Sequence, residues 1–147
     1  PSHVASGSTD GATAATVIRE ALQRSQVAPG EVTAIKAHGT GTPSNDLSEL
    51  RAIQSVFGER PPPFASLKGV FGHTAGCSGV LETAVWTWCL EHGFVPPSGG
   101  FEEPMEEAPL SPLTRPFETS GRPGTHLFNA FGFGGTSVAF LMRDHGA

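Results

Sequence analysis

Two histidines in this chain lie at glycine-rich junctions, where an imidazole can reach into a cleft. His38 follows a short apolar run and precedes Gly-Thr-Gly-Thr-Pro, and His73 ends the stretch Lys68-Gly-Val-Phe-Gly-His. A lone turn histidine is more simply explained as a structural residue whose ring binds a nearby carbonyl. Here the glycines leave room for a ligand, and a neutral imidazole can donate one hydrogen bond to a developing oxyanion. The two stretches therefore mark candidate positions at which an imidazole can hydrogen-bond a bound substrate.

A third glycine-rich segment lies near the C-terminus, where residues 129–136 read Asn-Ala-Phe-Gly-Phe-Gly-Gly-Thr. Such a segment alone is weak evidence, because it suits a hairpin turn as well as a phosphate cradle. No helix is predicted after it, which argues against a nucleotide-binding loop. A turn between two strands is therefore the structure that we expect there.

Hydrophobic spacing predicts the elements that position these segments. Helices are expected at residues 9–24, from 45 or 46 to 57, and at 79–91; strands are expected at 32–37, 64–67, 126–129 and 138–142. Strands that alternate with helices imply a largely parallel sheet covered on both faces. Active residues of such sheets gather at the carboxyl ends of the strands, which is where His38 and Lys68 fall.

The spacing also predicts how the helices begin and which side chains face the core. Thr9 or Asp10 can cap the first helix, and Asp46 with Glu49 has the spacing of a capping box at the second. The expected inward-facing residues of the second and third helices are Leu47, Leu50, Ile53 and Phe57, and Leu81, Ala84, Val85 and Trp88. Residues 98–124 are acidic and proline-rich, which predicts an ordered surface loop with little regular structure.

The composition is that of one globular domain. Of the 147 residues, 37% are hydrophobic and 16% are charged, whereas a disordered chain has fewer apolar and more charged residues. A net charge of −5 without a Lys/Arg run argues against a nucleic-acid surface, and no apolar run reaches the length of a membrane span. The start at Pro1 lacks both a signal-peptide pattern and an initiator methionine. We therefore expect the chain to begin after processing or within a longer reading frame.

The two cysteines are too few for a disulfide scaffold, which makes the cytoplasm the default compartment. Cys77 and Cys89 are expected to be small buried side chains. A zinc site of His73, Cys77, Cys89 and His92 is an alternative. Its two cysteines would lie about 18 Å apart along or just before one helix, too far for one tetrahedral site. No metal is therefore expected.

The three glycine-rich segments, in this order and spacing, resemble the second half of a β-ketoacyl synthase of the elongating, decarboxylative type. The resemblance runs from about Thr9 to Leu141. It implies the C-terminal half of an α/β, thiolase-like fold, with a largely parallel or mixed five-stranded sheet and helices on both faces. It also implies that residues 1–147 form one C-terminal ketosynthase half-domain. The implied reaction is decarboxylative Claisen condensation of an acyl thioester with malonyl-acyl carrier protein, in fatty acid or polyketide biosynthesis.

The resemblance assigns roles to the first two segments. His38 would help to decarboxylate the malonyl thioester and would stabilise the enolate, while Thr40 and Thr42 would hydrogen-bond the phosphopantetheine arm. His73 would take the second oxyanion role, and Lys68 would orient His73 and hold positive charge near the site. These roles require no cofactor of the chain's own, because the phosphopantetheine belongs to the acyl carrier protein.

The resemblance also implies supporting and substrate-binding residues. Glu82 matches a carboxylate that pairs with the histidine and lysine, although an exposed helix residue is the other interpretation of this position. The backbone N–H of Phe131 would complete the oxyanion hole, and its ring would gate the acyl pocket together with that of Phe133. Gly134 would allow the backbone to approach the substrate closely.

The nucleophilic cysteine of that family comes from its first half, and this chain has no counterpart. Cys77 lies near a predicted helix start that could activate a thiolate, but it stands where the family has a small apolar residue, and the Ser/Ala-rich elbow is missing. The expected partners are therefore an N-terminal half, from a second chain or a cleaved precursor, and an acyl carrier protein. The complete unit is expected to be a dimer that binds neither nucleic acid nor a membrane.

Two other functions remain open from the sequence. A half-synthase without turnover could set chain length or dock the carrier, but such subunits tend to lose the histidines and lysine that this chain retains. A thiolase-like enzyme would not decarboxylate, whereas the paired His-Gly-Thr and Gly-His motifs favour the decarboxylative branch. The discriminating feature is whether His38, Lys68 and His73 converge on a cysteine from another chain.

Overall fold

The computed structural model describes residues 9–119, 121–132 and 136–146. Its helices are α1 (Ala12–Arg24), α2 (Pro43–Phe57), α3 (Lys68–Phe71) and α4 (Ser78–Glu91), with short 3-10 turns at Pro29–Glu31 and Ala75–Cys77. Its strands are β1 (Ala34–Lys36), β2 (Phe64–Ala65), β3 (Phe94–Val95), β4 (Phe117–Glu118), β5 (Thr125–Phe131) and β6 (Ser137–Arg143). Within these ranges no helix combines the length and apolar character needed to cross a membrane.

The main sheet has the strand order β2-β1-β5-β6. Strand β1 is parallel to both β2 and β5, so that Lys36 lies opposite Ala65 on one side and Phe128 on the other, and β6 is antiparallel to β5. Because parallel strands point the same way, the carboxyl ends of β1, β2 and β5 open on one edge of the sheet. This edge brings together the segments that carry His38, Lys68 and the end of β5.

The expected strand count of five is wrong, because the main sheet has four strands among the described residues. Strands β3 and β4 pair only with each other, as an antiparallel two-stranded sheet in which Val95 lies opposite Phe117. Pro96 and Pro97 follow β3 directly and have no N–H to donate, so β3 cannot extend into a longer ladder. Between the two strands the chain forms only an isolated bridge, Met105 to Ala108.

The core lies on both faces of the main sheet, because successive strand residues point to opposite faces. On one face Ile35 of β1 and Leu127 of β5 pack against α1 and α2. On the other face Ala34 and Phe128 pack in a cluster with Trp86 of α4. The mixed sheet with helices on both faces agrees with the architecture predicted from the alternation of elements.

Two of the predicted helix starts differ from the structure. Helix α1 begins at Ala12, whose N–H donates to the carboxylate of Asp10 over 2.8 Å. Helix α2 begins at Pro43, earlier than expected, since proline is well suited to the first turn. The predicted capping box of Asp46 and Glu49 is wrong, because both carboxylates accept hydrogen bonds from the loop that precedes the helix.

Helix α4 buries a different face from the one predicted. Trp86 is fully buried, whereas Trp88, expected to face the core, is 55% exposed. Val80 of the same helix is 74% exposed. Apolar residues occupy every side of α4, so their spacing could not select the inward face. In α2 the two sides differ more in hydrophobicity, and Ile53, which was expected to face the core, is fully buried.

Candidate active site

Two histidine rings and one phenylalanine ring meet at the carboxyl edge of the sheet. The ring centroids of His38 and His73 are 5.6 Å apart, and the His38 ring lies 5.6 Å from that of Phe131. His38 follows β1, His73 follows α3 and Phe131 ends β5, so three separate elements supply the rings. His38 is buried and His73 is exposed, which leaves the cluster open on the side of His73.

The position of the proton on a neutral His73 ring follows from its neighbours. The backbone N–H of Ala75 donates to Nδ1 over 3.1 Å, so Nδ1 carries a lone pair and the proton lies on Nε2. The hydroxyl of Ser78 lies 3.3 Å from the same Nδ1. Ala75 has a φ of 50°, a left-handed conformation that costs a non-glycine residue about 1–3 kcal/mol. Neutral His73 therefore offers one N–H donor, at Nε2.

Burial keeps His38 neutral. The pKa of its imidazole is lowered from 6.5 to about 3, first because the ring is buried and then because Lys68 and Lys36 carry positive charge nearby. Its backbone is held at both ends: the N–H donates to Glu49 Oε1 over 2.8 Å, and the carbonyl accepts from the Lys68 ammonium over 2.5 Å. A neutral ring in a fixed position can donate a hydrogen bond to an oxyanion.

Both lysines of the chain converge on one buried carboxylate. Lys68 Nζ lies 2.6 Å from Glu82 Oε1, and Lys36 Nζ lies 2.6 Å from Oε2. The hydroxyl of Ser78 donates to Oε1 over 2.8 Å. Burial alone would raise the pKa of Glu82, but the hydrogen bonds from the two lysines outweigh it and lower the pKa. Glu82 is therefore a buried, ionised group next to Lys68 and not an exposed helix residue, and the part played by Lys36 was not predicted.

A second buried carboxylate, Glu49, holds the loop that carries His38. Its Oε1 accepts from the N–H of His38 over 2.8 Å and from Nδ2 of Asn129 over 2.9 Å, and its Oε2 accepts from the N–H of Gly39 over 2.8 Å. Burial raises the pKa of Glu49, although these three hydrogen bonds oppose the rise. Sequence reasoning gave this residue only a capping role. The available signal was its place four residues before Ile53, on the apolar stripe of α2.

The turn after His38 carries the two threonines predicted to bind substrate. The hydroxyl oxygens of Thr40 and Thr42 are 2.8 Å apart and share a hydrogen bond. The backbone N–H of Thr40 donates to Asp46 over 3.0 Å, which fixes the turn against α2. A cavity of about 360 Å³ borders Thr40. The predicted substrate-binding residues Phe133 and Gly134 lie outside the described residues.

The cysteines do not form the alternative metal site. Cys77 is exposed and Cys89 is buried, so the expectation of a buried side chain is wrong for Cys77, which ends an exposed 3-10 turn. Burial raises the pKa of the Cys89 thiol. Across the described part of the chain, no group of three or more His, Cys, Asp or Glu side chains is arranged to hold a metal ion.

Residues 2–102 match the model of the C-terminal domain of β-ketoacyl synthases, which is more than half of the chain. The chain belongs to this family. The 3-oxoacyl-[acyl-carrier-protein] synthase 1 of Escherichia coli (strain K12) is 42% identical over 110 residues, which cover 74% of this chain and 27% of that protein. The resemblance predicted from the three glycine-rich segments is thereby confirmed.

Solved ketosynthase structures have the same fold. The ishigamide ketosynthase/chain length factor matches with a TM-score of 0.85 at 33% identity, over 99% of this chain and 35% of that one. A ketosynthase bound to its hexaketide, in complex with a type II PKS acyl-carrier protein (AntDE:AntF), matches with a TM-score of 0.88 at 29% identity, over 96% of this chain and 35% of that one. The chain therefore has the predicted α/β fold and spans between 27% and 35% of the length of these three proteins.

Proposed function

We propose that this chain supplies the two-histidine part of a β-ketoacyl synthase active site, an acyltransferase centre for decarboxylative Claisen condensation. The observation that carries the proposal is the neutral His38 ring 5.6 Å from the ring of His73, whose proton lies on Nε2. Two N–H donors at one place suit an enolate oxygen, because both can donate hydrogen bonds to its developing charge. Membership of the ketosynthase family supports the same chemistry.

The reaction proceeds in three steps. A cysteine thiolate from the N-terminal half attacks the acyl-carrier thioester, and the phosphopantetheine thiol leaves. Malonyl-carrier then loses its carboxylate as CO₂, and the electron pair of the broken C–C bond forms an enolate whose oxygen accepts hydrogen bonds from His38 and His73. The enolate carbon attacks the acyl-cysteine carbonyl, and the cysteine leaves as thiolate. The product is a 3-oxoacyl-carrier thioester.

The remaining residues of the site hold the reactants and the histidines. Lys68 binds the carbonyl of His38 and the carboxylate of Glu82, which fixes the position of the first histidine and keeps positive charge beside the oxyanion. Thr40 and Thr42 present neighbouring hydroxyls to the phosphopantetheine arm. Phe131 borders the acyl chain through its ring and provides a backbone N–H for the oxyanion hole.

The substrate pocket and the partners complete this proposal. Phe133 and Gly134 take the substrate-binding role that the resemblance implies for them. The N-terminal half covers α4, which exposes the apolar side chains of Val80 and Trp88, since exposed apolar patches often mark protein interfaces. Complete units form a dimer in the cytoplasm and receive both substrates from an acyl carrier protein. The carrier protein bound to a related ketosynthase supports this last interaction.

The test uses the complete assembly in which the chain occurs, with acyl-carrier and malonyl-carrier proteins as substrates. Wild type should release CO₂ and form the 3-oxoacyl product. His38→Ala and His73→Ala should each lower kcat by about 10²- to 10³-fold, the cost of removing an oxyanion donor. His145→Ala, which changes an exposed histidine outside the cluster, should keep the wild-type rate.

Two results would overturn the proposal. If both cluster variants release CO₂ at the wild-type rate, the two histidines do not stabilise the enolate. If the wild-type assembly binds the carrier protein but releases no CO₂, a role in chain length or carrier docking replaces condensation. Intact masses under native and denaturing conditions show separately whether a second polypeptide completes the unit.

A further inference from the structure

The chain contains two lysines, and both are buried at the same carboxylate. The reaction proposed above uses only Lys68. Lys36 lies in the central strand of the sheet and is 1% exposed. Burying an ammonium group is unfavourable unless hydrogen bonds and opposite charge compensate for the lost water. The contacts of Lys36 therefore indicate what its charge holds in place.

Lys36 connects two elements that the main sheet does not join directly. Its Nζ lies 2.6 Å from Glu82 Oε2 on α4 and donates to the backbone carbonyl of Asn129 on β5 over 2.8 Å. The register places Lys36 beside Phe128 of β5, so its ammonium reaches past the ladder to the next residue of that strand. One group thus fixes the distance between α4 and the end of β5.

The first contact leads to His73. Glu82, held by Lys36 at Oε2, accepts from the hydroxyl of Ser78 at Oε1 over 2.8 Å. The same hydroxyl lies 3.3 Å from Nδ1 of His73. Because Ser78 donates its one hydroxyl proton to Glu82 and Nδ1 of His73 carries no proton, this is a packing contact. Displacing Glu82 would therefore free the Ser78 side chain that packs against the ring of His73.

The second contact leads to His38. The side chain of Asn129 donates to Glu49 over 2.9 Å, and Glu49 accepts the backbone N–H groups of His38 and Gly39. Lys36 holds the carbonyl of the same Asn129. A shift of Asn129 would be transmitted through Glu49 to the loop that carries the first histidine.

We propose that Lys36 is a positioning residue that holds His38 and His73 in register with each other, through Asn129 and Glu49 on one side and through Glu82 and Ser78 on the other. Its catalytic consequence rests on the proposed function. Its structural consequence is the coupling of the two histidines through one ammonium group, and this coupling is independent of the proposed function.

The same ammonium acts on His38 through its charge. The charged and titratable groups around Lys36 are Lys68, Glu82 and Glu49, with His38 and His73 at the sheet edge. The positive charge of Lys36 contributes to the lowered pKa of His38. Removing that charge should raise the pKa of His38 above about 3, toward its ordinary value of 6.5. Because burial is the first cause of that low pKa, the shift reports the lost charge in a variant that keeps the side-chain volume, as methionine does.

The experiment compares three variants in the complete assembly. Lys36→Met removes both the charge and the hydrogen bonds, Lys36→Gln removes the charge but keeps an N–H donor, and Arg24→Met changes an exposed cation at the end of α1. Histidine titrations by NMR with ring-labelled histidine are measured beside kcat and KM for malonyl-carrier protein.

Both Lys36 variants should raise the pKa of His38. Lys36→Met should lower kcat by up to about 100-fold, the effect expected from misplacing a reacting group by about 1 Å, with little change in KM. Lys36→Gln should recover part of that loss, and Arg24→Met should match wild type in every measurement. If Lys36→Met keeps both the wild-type kcat and the wild-type titration of His38, the proposal is overturned.

Two further outcomes keep the test decisive. If neither Lys36 variant folds, the ammonium protons of wild-type Lys36 are measured by NMR with ¹⁵N-labelled lysine. Slow exchange of these protons supports the buried hydrogen bonds, and exchange as fast as that of an exposed lysine overturns the proposal. If the wild-type assembly has no condensation activity, the proposed function fails, while the exchange of the Lys36 ammonium protons still tests the two buried hydrogen bonds on which the positioning role rests.

Discussion

Replacing Glu49 by glutamine tests how this fold holds the loop that carries His38. The carboxylate is 2% exposed and accepts three hydrogen bonds, two at Oε1 and one at Oε2. Glutamine has nearly the same shape but only one acceptor oxygen. The substitution therefore removes an acceptor without removing side-chain volume.

The cost follows from the bond that is lost. With its oxygen in the place of Oε1, glutamine still accepts hydrogen bonds from the N–H of His38 and from Nδ2 of Asn129. Its NH₂ group then faces the N–H of Gly39, which loses its acceptor. A buried donor without a partner costs about 1–3 kcal/mol, so we expect Glu49→Gln to lower the free energy of unfolding by about 2 kcal/mol. Glu49→Ala leaves three donors unpaired, and its cost of about 3–9 kcal/mol approaches the whole stability of an ordinary domain.

The cost should also depend on pH, with a definite sign. The pKa of Glu49 is raised above its ordinary value of 4.5 in the folded protein. As the pH rises from this value toward the raised pKa, the unfolded chain loses the proton first, so the wild type loses stability in that window. The glutamine variant has no such proton. The difference between the two proteins should therefore shrink as the pH rises.

The assay is guanidinium unfolding of the complete protein at about pH 5 and about pH 8, both above the ordinary pKa of a glutamate side chain. Hydrogen exchange of the peptide covering residues 37–41 reports the loop itself. Glu91→Gln, an exposed carboxylate on α4, is the matched control. Equal stability of Glu49→Gln and wild type at both pH values, with unchanged exchange of His38 and Gly39, would refute the reasoning.

Two further predictions concern a glycine pair and the two cysteines. A Cβ at Gly69 would lie 1.9 Å from the carbonyl oxygen of Gly99, whereas one at Gly76 would meet nothing within 4 Å. Gly69→Ala should therefore lower the free energy of unfolding by roughly 1–3 kcal/mol through overpacking, and Gly76→Ala should leave it almost unchanged. The denaturant midpoints of the two variants measure this difference, and equal midpoints would contradict the prediction. A thiol reagent should label the exposed Cys77 rapidly. It should label Cys89 only on unfolding, because this thiol is buried and its pKa is raised. Peptide mass mapping after labelling measures the order in which the two cysteines react.

The sequence predicted the local part of this site. An apolar run that ends in His38 and another that ends near Lys68 suffice to place both residues at strand ends, because parallel strands open on one edge of a sheet. The alternation of strands and helices predicted both covered faces. The first two glycine-rich segments marked His38 and His73, which the structure brings to one edge together with Phe131.

The inward face of α4 could not be predicted, because apolar residues occur on every side of that helix. Trp86 is buried and Trp88 is exposed because neighbouring elements pack against Trp86. The four strands predicted from hydrophobic spacing are the four strands of the main sheet, and the count of five came only from the resemblance. Strands β3 and β4 were not predicted, since a two-residue strand has no pattern of its own.

What the sequence determined by itself was therefore the elements, their order and the histidines at their ends. Only the tertiary structure decided which charges hold those histidines. Lys36 binds Glu82 across 46 residues of chain, and Asn129 binds Glu49 across 80. In the sequence Lys36 looks like a strand lysine, and Glu49 and Asn129 look like ordinary polar positions; only Glu82 was singled out, by the resemblance. Their energies depend on burial and on partners that only folding brings within hydrogen-bond distance.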